Sequence, residues 1–288
     1  MLKTGIIDTA YTAHYGWEEG LRRIAAHGYY GIDYQGFVDT ETPLFALSEE
    51  AFIAELERQK KAIRAAGLTV YQTHGPWRYP PRDATPEDRA ERMEKIRRAL
   101  LGTAVLGSKR FIYHPLMPFT TEDGGHETET WEINLPFMRE MADLAAPYGI
   151  TVCLENMPMR NFSLASTDAI LRMVKAVDRP NFKVCLDTGH CAVMKEDPAE
   201  AVRLLGDYLE TLHIHDNNGS RDLHLQPFAK TIDFPAFARA LREIGFRGVL
   251  SLECGHGVGL PKALREQEEL LLSEKVRYLA KVASGEEE

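Results

Sequence analysis

A closed (β/α)8 barrel, an α/β fold in a single domain, is what this sequence predicts, on two observations. Short apolar, β-branched runs alternate with longer amphipathic segments from one end of the chain to the other. Strict alternation of this kind implies a parallel sheet, because parallel neighbours need crossover helices. Eight such units share 288 residues, roughly 36 apiece, which suits a closed barrel. The competitor is an open, doubly wound sheet. Its nucleotide-binding versions lose support, since no Gly-x-Gly-x-x-Gly follows the first strand and no phosphate-loop Lys motif occurs.

The predicted strands are Thr4–Asp8, Gly31–Gln35, Thr69–His74, Arg110–His114, Thr151–Glu155, Lys183–Asp187, Glu210–His215 and Gly248–Glu253. Helical patterns lie between them at Glu18–His27, Ser48–Ala66, Pro86–Leu106, Glu129–Tyr148, Ser166–Val177, Pro198–Leu205 and Phe234–Ile244. A last helix, Pro261–Ala283, closes the chain. Start signals agree: Ser48 precedes Glu49-Glu50, Ser166 precedes Thr167-Asp168, and Pro198 sits in a first turn after Asp197. Glycines follow several helices (Gly28, Gly67, Gly107, Gly149, Gly245), as helix C-termini favour. The barrel is expected over residues 1–284, with 285–288 a short acidic tail that frays.

A hydrophobic fraction of 44% with 27% charged residues is ordinary for a chain with a substantial core. No apolar stretch approaches the roughly 20 residues that cross a bilayer. The N-terminus runs directly into a strand without a signal-peptide layout, so a cytoplasmic location is the expectation. The net charge of −9 argues against a nucleic-acid partner, which usually needs a basic footprint. Cys153, Cys185, Cys191 and Cys254 fall in or just after apolar runs with no Cys-x-x-Cys spacing, and read as reduced core thiols.

The stretch from Tyr208 to His224 is the densest in chemistry. An apolar run leads into His213, His215 and Asp216, then an Asn-Asn-Gly-Ser turn, then Asp222 and His224. Imidazoles and carboxylates so close together look like metal ligands with their supporting shell. In a barrel the reacting groups sit at the C-terminal ends of strands. The third strand ends at His74, the fourth at His114, the fifth at Glu155-Asn156 and the sixth at Asp187-Thr188-Gly189-His190. The seventh gives His213-Ile214-His215 and the eighth Glu253-Cys254-Gly255-His256. If these side chains point into the barrel, Val70, Ile112, Cys153, Cys185, Thr211 and Ser251 should form a layer beneath them. Val152, Leu154, Val184, Leu186, Leu212 and Leu252 should then face the helices. Two glutamates, an aspartate and a histidine make a mixed oxygen and nitrogen set for a divalent ion such as Mn, Mg, Co or Zn.

The combination of Glu155-Asn156, Asp187-Thr188-Gly189-His190, His213-Ile214-His215-Asp216, Asp222-Leu223-His224 and Glu253 resembles the xylose-isomerase-like TIM barrel superfamily, nearest to its sugar (phosphate) isomerases and epimerases. That resemblance implies a divalent metal, Mn first and Mg, Co or Zn as alternatives, held by Glu155, Asp187, His213 and Glu253. It implies proton abstraction next to the carbonyl of an open-chain sugar through an enediolate, with Glu155 and Glu253 as the acid/base pair. His74, His114, His190, Asp222 and His224 would bind substrate or serve as additional metal ligands. The implied partner is a small sugar or sugar derivative, and self-association into a homo-oligomer is left open. The same chemistry would serve a sugar lyase or dehydratase.

The superfamily also includes endonuclease-IV-type enzymes that cut DNA at abasic sites. Their three-zinc arrangement would fall on His74, His114 and Glu155; on Glu155, Asp187, His213 and Glu253; and on His190, Asp222 and His224. Trp77-Arg78-Tyr79 reads either as a base-stacking loop or as an apolar lid over a sugar. Where relatives run through a glycine-rich turn, this chain has Leu225-Gln226-Pro227-Phe228-Ala229-Lys230. That departure should alter the loop over the site, and Lys230 reads as a solvated surface residue.

Overall fold

A computed structural model describes residues 1–255 and 259–287. Its strands are β1 (Lys3–Ile7), β2 (Gly31–Tyr34), β3 (Thr69–His74), β4 (Arg110–Tyr113), β5 (Thr151–Glu155), β6 (Phe182–Asp187), β7 (Leu209–His213) and β8 (Val249–Leu252). All pair in parallel in the order β7-β6-β5-β4-β3-β2-β1-β8. The ring closes between β7 and β8 through one bridge, Ile214 to Leu252. There Ile214 N–H donates to the Ser251 carbonyl at 2.8 Å and Glu253 N–H to the Ile214 carbonyl at 3.1 Å. The molecule is the single (β/α)8 TIM barrel that the alternation predicts.

The helices are α1 (Thr9–Tyr15), α2 (Trp17–Ala26), α3 (Pro43–Ala46), α4 (Glu49–Ala65), α5 (Pro86–Leu106), α6 (Glu127–Ala145), α7 (Thr167–Val177), α8 (Thr188–Met194), α9 (Pro198–Leu205), α10 (Phe234–Glu243) and α11 (Lys262–Ser284). Their starts are held as the sequence suggests. Ser48, Ser166 and Asp197 each accept a backbone N–H of the first turn. Thr85 and Asp88 form a reciprocal capping box at α5. Three helices escape the sequence pattern: α1, α3 and α8 have seven, four and seven residues, too few for a 3.6-residue period to register. Among the described residues no helix is long and apolar enough to cross a membrane.

The main core lies between sheet and helices. Val152, Leu154, Val184, Leu186, Leu212 and Leu252 belong to it, fully buried, each contributing roughly 1.5–3 kcal/mol by leaving water. Ile112, Cys153 and Cys185 form a separate apolar cluster, the layer inside the barrel. All four cysteines are buried and free. Val70 is a correction: expected inside, it belongs to the outer core. The register between β2 and β3 slips after Ile32↔Val70, so that Asp33 pairs with Gln72 and Tyr71 is left over. This bulge lets Tyr71 and Gln72 both reach Ser251 Oγ, at 2.7 and 3.1 Å. The barrel floor on this side is therefore polar.

Candidate active site

Parallel strands in a barrel end on one face, and there the chain gathers its histidines and carboxylates. His74, Glu155, Asp187 and His213 are the last residues of β3, β5, β6 and β7. Asp187 also caps α8, accepting the His190 N–H at 2.6 Å, which carries His190 one turn onward. A Cβ on Gly189 would stand 1.9 Å from the His215 ring, so only glycine lets that ring lie against the start of α8.

Glu155 is the hub of one cluster. Its Oε2 lies 3.0 Å from His114 Nε2 and 3.5 Å from His74 Nε2. Its Oε1 lies 2.9 Å from His213 Nδ1, and Glu253 Oε2 approaches the same nitrogen at 3.2 Å. A second cluster centres on Asp222. Its Oδ2 lies 2.9 Å from His224 Nε2 and 3.3 Å from His190 Nε2, and its Oδ1 3.6 Å from His215 Nε2. Asp187 stands between the two, with Oδ2 2.9 Å from His215 Nε2 and Oδ1 3.7 Å from His190 Nδ1. His190 Nδ1 is in turn 3.8 Å from Glu155 Oε1. All nine residues singled out by the sequence are thus brought together.

The electrostatics follow from this crowding. Burial alone would lift the Glu155 carboxyl, but His213 and His114 hold it well below the usual range. Glu253 goes the other way: burial raises it, and the nearby Glu155 charge adds to that against the pull of His213. Burial pushes His114 down to about 4 despite Glu155. Burial also opposes charge on His190 and His224, yet Asp187 and Asp222 push the first up to about 10, and Asp222 and Glu253 the second.

The donor set fits a divalent cation. Four histidines have one ring nitrogen tied to an oxygen behind the site and the other turned to a carboxylate. His74 Nδ1 meets the Gly75 carbonyl at 2.9 Å, His190 Nδ1 the Asn156 carbonyl at 2.7 Å and His224 Nδ1 the Glu253 carbonyl at 2.8 Å. His213 Nε2 meets Asp33 Oδ2 at 2.9 Å. Metal-binding histidines are held in this manner. Meanwhile Glu155 Oε2, Asp187 Oδ2, Asp222 Oδ1 and both His215 nitrogens are, among the described residues, buried without a hydrogen-bond partner of good geometry; a cation would satisfy the three oxygens and one of the nitrogens. Groups such as His74-His114-Glu155, His74-His213-Glu253 and Asp187-His190-His215 each place their ligand atoms within 4.8 Å of one another. Among the described residues, the ion pairs of Glu155 and Glu253 are all with histidines.

A cavity of about 430 Å³ opens onto both clusters. Its polar side carries His74, His114, Glu155, His190, Asp222, His224 and Glu253, and its apolar wall Val38, Trp77, Tyr79, Met157, Pro158 and Met159. Trp77 stands edge-on to His114 with centroids 4.5 Å apart, placing the early loop over the cavity. Gln35 also lines it, with Nε2 buried and, among the described residues, unpartnered. A larger groove of about 790 Å³ lies outside the barrel against α4, α5 and α6. Its Lys95 and Arg97 are already paired with Glu91 and Glu140, and it holds no comparable cluster.

Two readings of the sequence change. Asp216 is no ligand candidate: fully buried, it accepts the backbone N–H groups of Lys230, Thr231 and Ile232 and pins the following loop. That loop does not cover the site, since Phe228 packs on Phe234 and Tyr278; Lys230 is exposed. His256 lies outside the described residues. Sequence reasoning overlooked Asp33, although it sits near the end of β2 as the candidate ligands do on their strands. It also left His215 out of the final set, although residues two apart share a strand face.

A parallel barrel with a histidine and carboxylate cluster at its strand ends is the class of protein the geometry defines, and comparison with known proteins narrows it. Residues 21–282 match the model of the xylose isomerase-like TIM barrel family. The chain belongs to that family. It is 34% identical over 188 residues to an uncharacterised protein of Methanocaldococcus jannaschii, covering 59% of this chain and 61% of that one. The matched stretch thus spans about three-fifths of that relative's length. It is 26% identical to the D-psicose 3-epimerase of Ruminiclostridium cellulolyticum over 206 residues, 69% of this chain and 68% of the other. A crystal structure of the IOLI protein with a binding zinc atom superimposes with a TM-score of 0.74 at 21% identity, covering 98% of both chains.

Proposed function

We propose that this protein is a divalent-metal-dependent sugar isomerase or epimerase, with Mn the first candidate ion and Glu155 and Glu253 as its acid/base pair. The observation that carries this reading is the convergence of those two carboxylates on His213 Nδ1 at 2.9 and 3.2 Å, at the mouth of a partly apolar cavity. Glu155, Asp187, His213 and Glu253 would hold the ion, with His74, His114, His190, Asp222 and His224 around it. Bound there, a divalent cation supplies Lewis acidity that polarises a carbonyl and acidifies the neighbouring C–H.

The chain's own residues do the rest. Glu155, held ionised by His213 and His114, takes the proton from carbon. Glu253, the more accessible carboxylate at 15% side-chain exposure against 1% for Glu155, returns its own on the cavity side. His190, His224 and the free amide of Gln35 orient hydroxyl groups. Trp77, Met157 and Met159 cover the carbon skeleton and exclude water. Among the described residues lining the cavity none is Lys or Arg, so the site favours an uncharged sugar over its phosphate, which Arg or Lys usually grips. Kinship to a D-psicose 3-epimerase supports the same reaction type.

Incubation with Mn²⁺ and a panel of ketoses in deuterated water tests this directly. Solvent deuterium should enter on the carbon next to the carbonyl. A second reading, zinc phosphodiester cleavage at abasic DNA, is favoured by the side clusters His74-His114-Glu155 and His190-Asp222-His224. Three zincs per chain and cleavage of abasic DNA, with no label in any ketose, would replace the first reading by the second.

A further inference from the structure

Asp33 is fully buried and, among the described residues, touches the site through His213 Nε2, 2.9 Å from its Oδ2. The same oxygen already accepts a hydrogen from Gln72 Nε2, also at 2.9 Å. The Gln72 amide is oriented by its surroundings, because its nitrogen also lies 3.4 Å from the Leu212 carbonyl, which can only accept. Gln72 further donates to Ser251 Oγ at 3.1 Å, and Ser251 shares a hydrogen bond with the Tyr71 hydroxyl at 2.7 Å. A continuous buried chain, Tyr71-Ser251-Gln72-Asp33-His213, therefore rises from the barrel floor to the candidate ligands.

With Asp33 Oδ2 acting as an acceptor, the hydrogen between it and His213 belongs to His213 Nε2. The Nδ1 lone pair of a neutral ring then faces Glu155 Oε1 and Glu253 Oε2. Three electron-rich atoms meeting without a hydrogen repel one another, and the arrangement is stable around a shared cation. We propose that Asp33 is a positioning residue, fixing the tautomer and ring direction of His213 so that Nδ1 is presented to the cation bound by Glu155 and Glu253. The inference rests on the metal reading above and adds to it which residue behind the ligands sets affinity.

The experiment titrates wild type, Asp33→Asn and Asp33→Leu with Mn²⁺ by calorimetry and records the visible spectrum of each Co²⁺-loaded protein. Asp33→Leu keeps the volume and removes the acceptor; it should bind Mn²⁺ about 10–100-fold more weakly and shift the Co²⁺ bands. Asp33→Asn keeps shape and an acceptor oxygen, folds where the leucine variant fails to, and should lose several-fold. Mn²⁺ affinity within twofold of wild type and an unmoved Co²⁺ spectrum in a folded variant, with only thermal stability lowered, would reduce Asp33 to a structural role. Wild type that takes up neither ion overturns the metal reading itself, a result distinct from the first.

Discussion

Glu253 combines three properties seldom found in one carboxylate: it is largely buried, raised by that burial, and open to the cavity through one edge. Burial favours its protonated form, which suits an acid/base role. Glu253→Gln preserves its size and should lower the rate of deuterium exchange into substrate by about 10²–10⁴-fold with an unchanged circular dichroism spectrum; a fully active variant would remove its assigned role. At this scale the sequence was readable where a residue ended a strand and obscure where folding decided the partner. His74, Glu155, Asp187 and His213 announce themselves by position. Asp216 follows His215 directly, and nothing local shows that its carboxylate will serve three backbone N–H groups of a later loop. Asp33 was equally legible in position but silent in role, because Gln72 and His213 come from distant strands.

At the scale of elements, the eight long strand and helix pairs follow from periodicity and caps. Where the pattern failed, a definable local feature intervened. Val70 changes sides because one extra residue, Tyr71, enters β3, and a period-two reading has no way to register an insertion. Helix α8 was missed because Asp187 and His190 read as ligands, while Asp187 is also its cap. Caps should matter most where a helix leads out of the loop over the site. Thr85 accepts the Asp88 N–H at 3.1 Å while Asp88 Oδ2 takes the Thr85 N–H at 3.2 Å. Thr85→Ala should therefore cost about 1 kcal/mol in urea unfolding, without altering metal affinity.

For the molecule as a whole, the burial of Asp8 at the barrel mouth carries a stability cost that depends on pH. Asp8, at the end of β1, is raised to about 7 by burial, with the Asp33 charge adding and the Gln35 N–H opposing. An acid whose folded value exceeds its unfolded value binds the proton more tightly in the native state. Its contribution is therefore neutral to stability below about pH 4 and increasingly destabilising up to about pH 7, with a ceiling on the order of 4 kcal/mol. Asp8→Asn should consequently raise the melting temperature at pH 8 more than at pH 5; an equal shift at both would contradict this. The ring itself has one uneven join. Seven neighbouring pairs share ladders, while among the described residues β7 and β8 are stitched at Ile214 alone. That stitch lies between the strand bearing His213 and the strand leading to Glu253, so loosening it would shift the imidazole of the proposed ligand against the carboxylate of the proposed proton carrier 3.2 Å away. Any slackening of this hem would be felt first by the chemistry, well before the wall gave way.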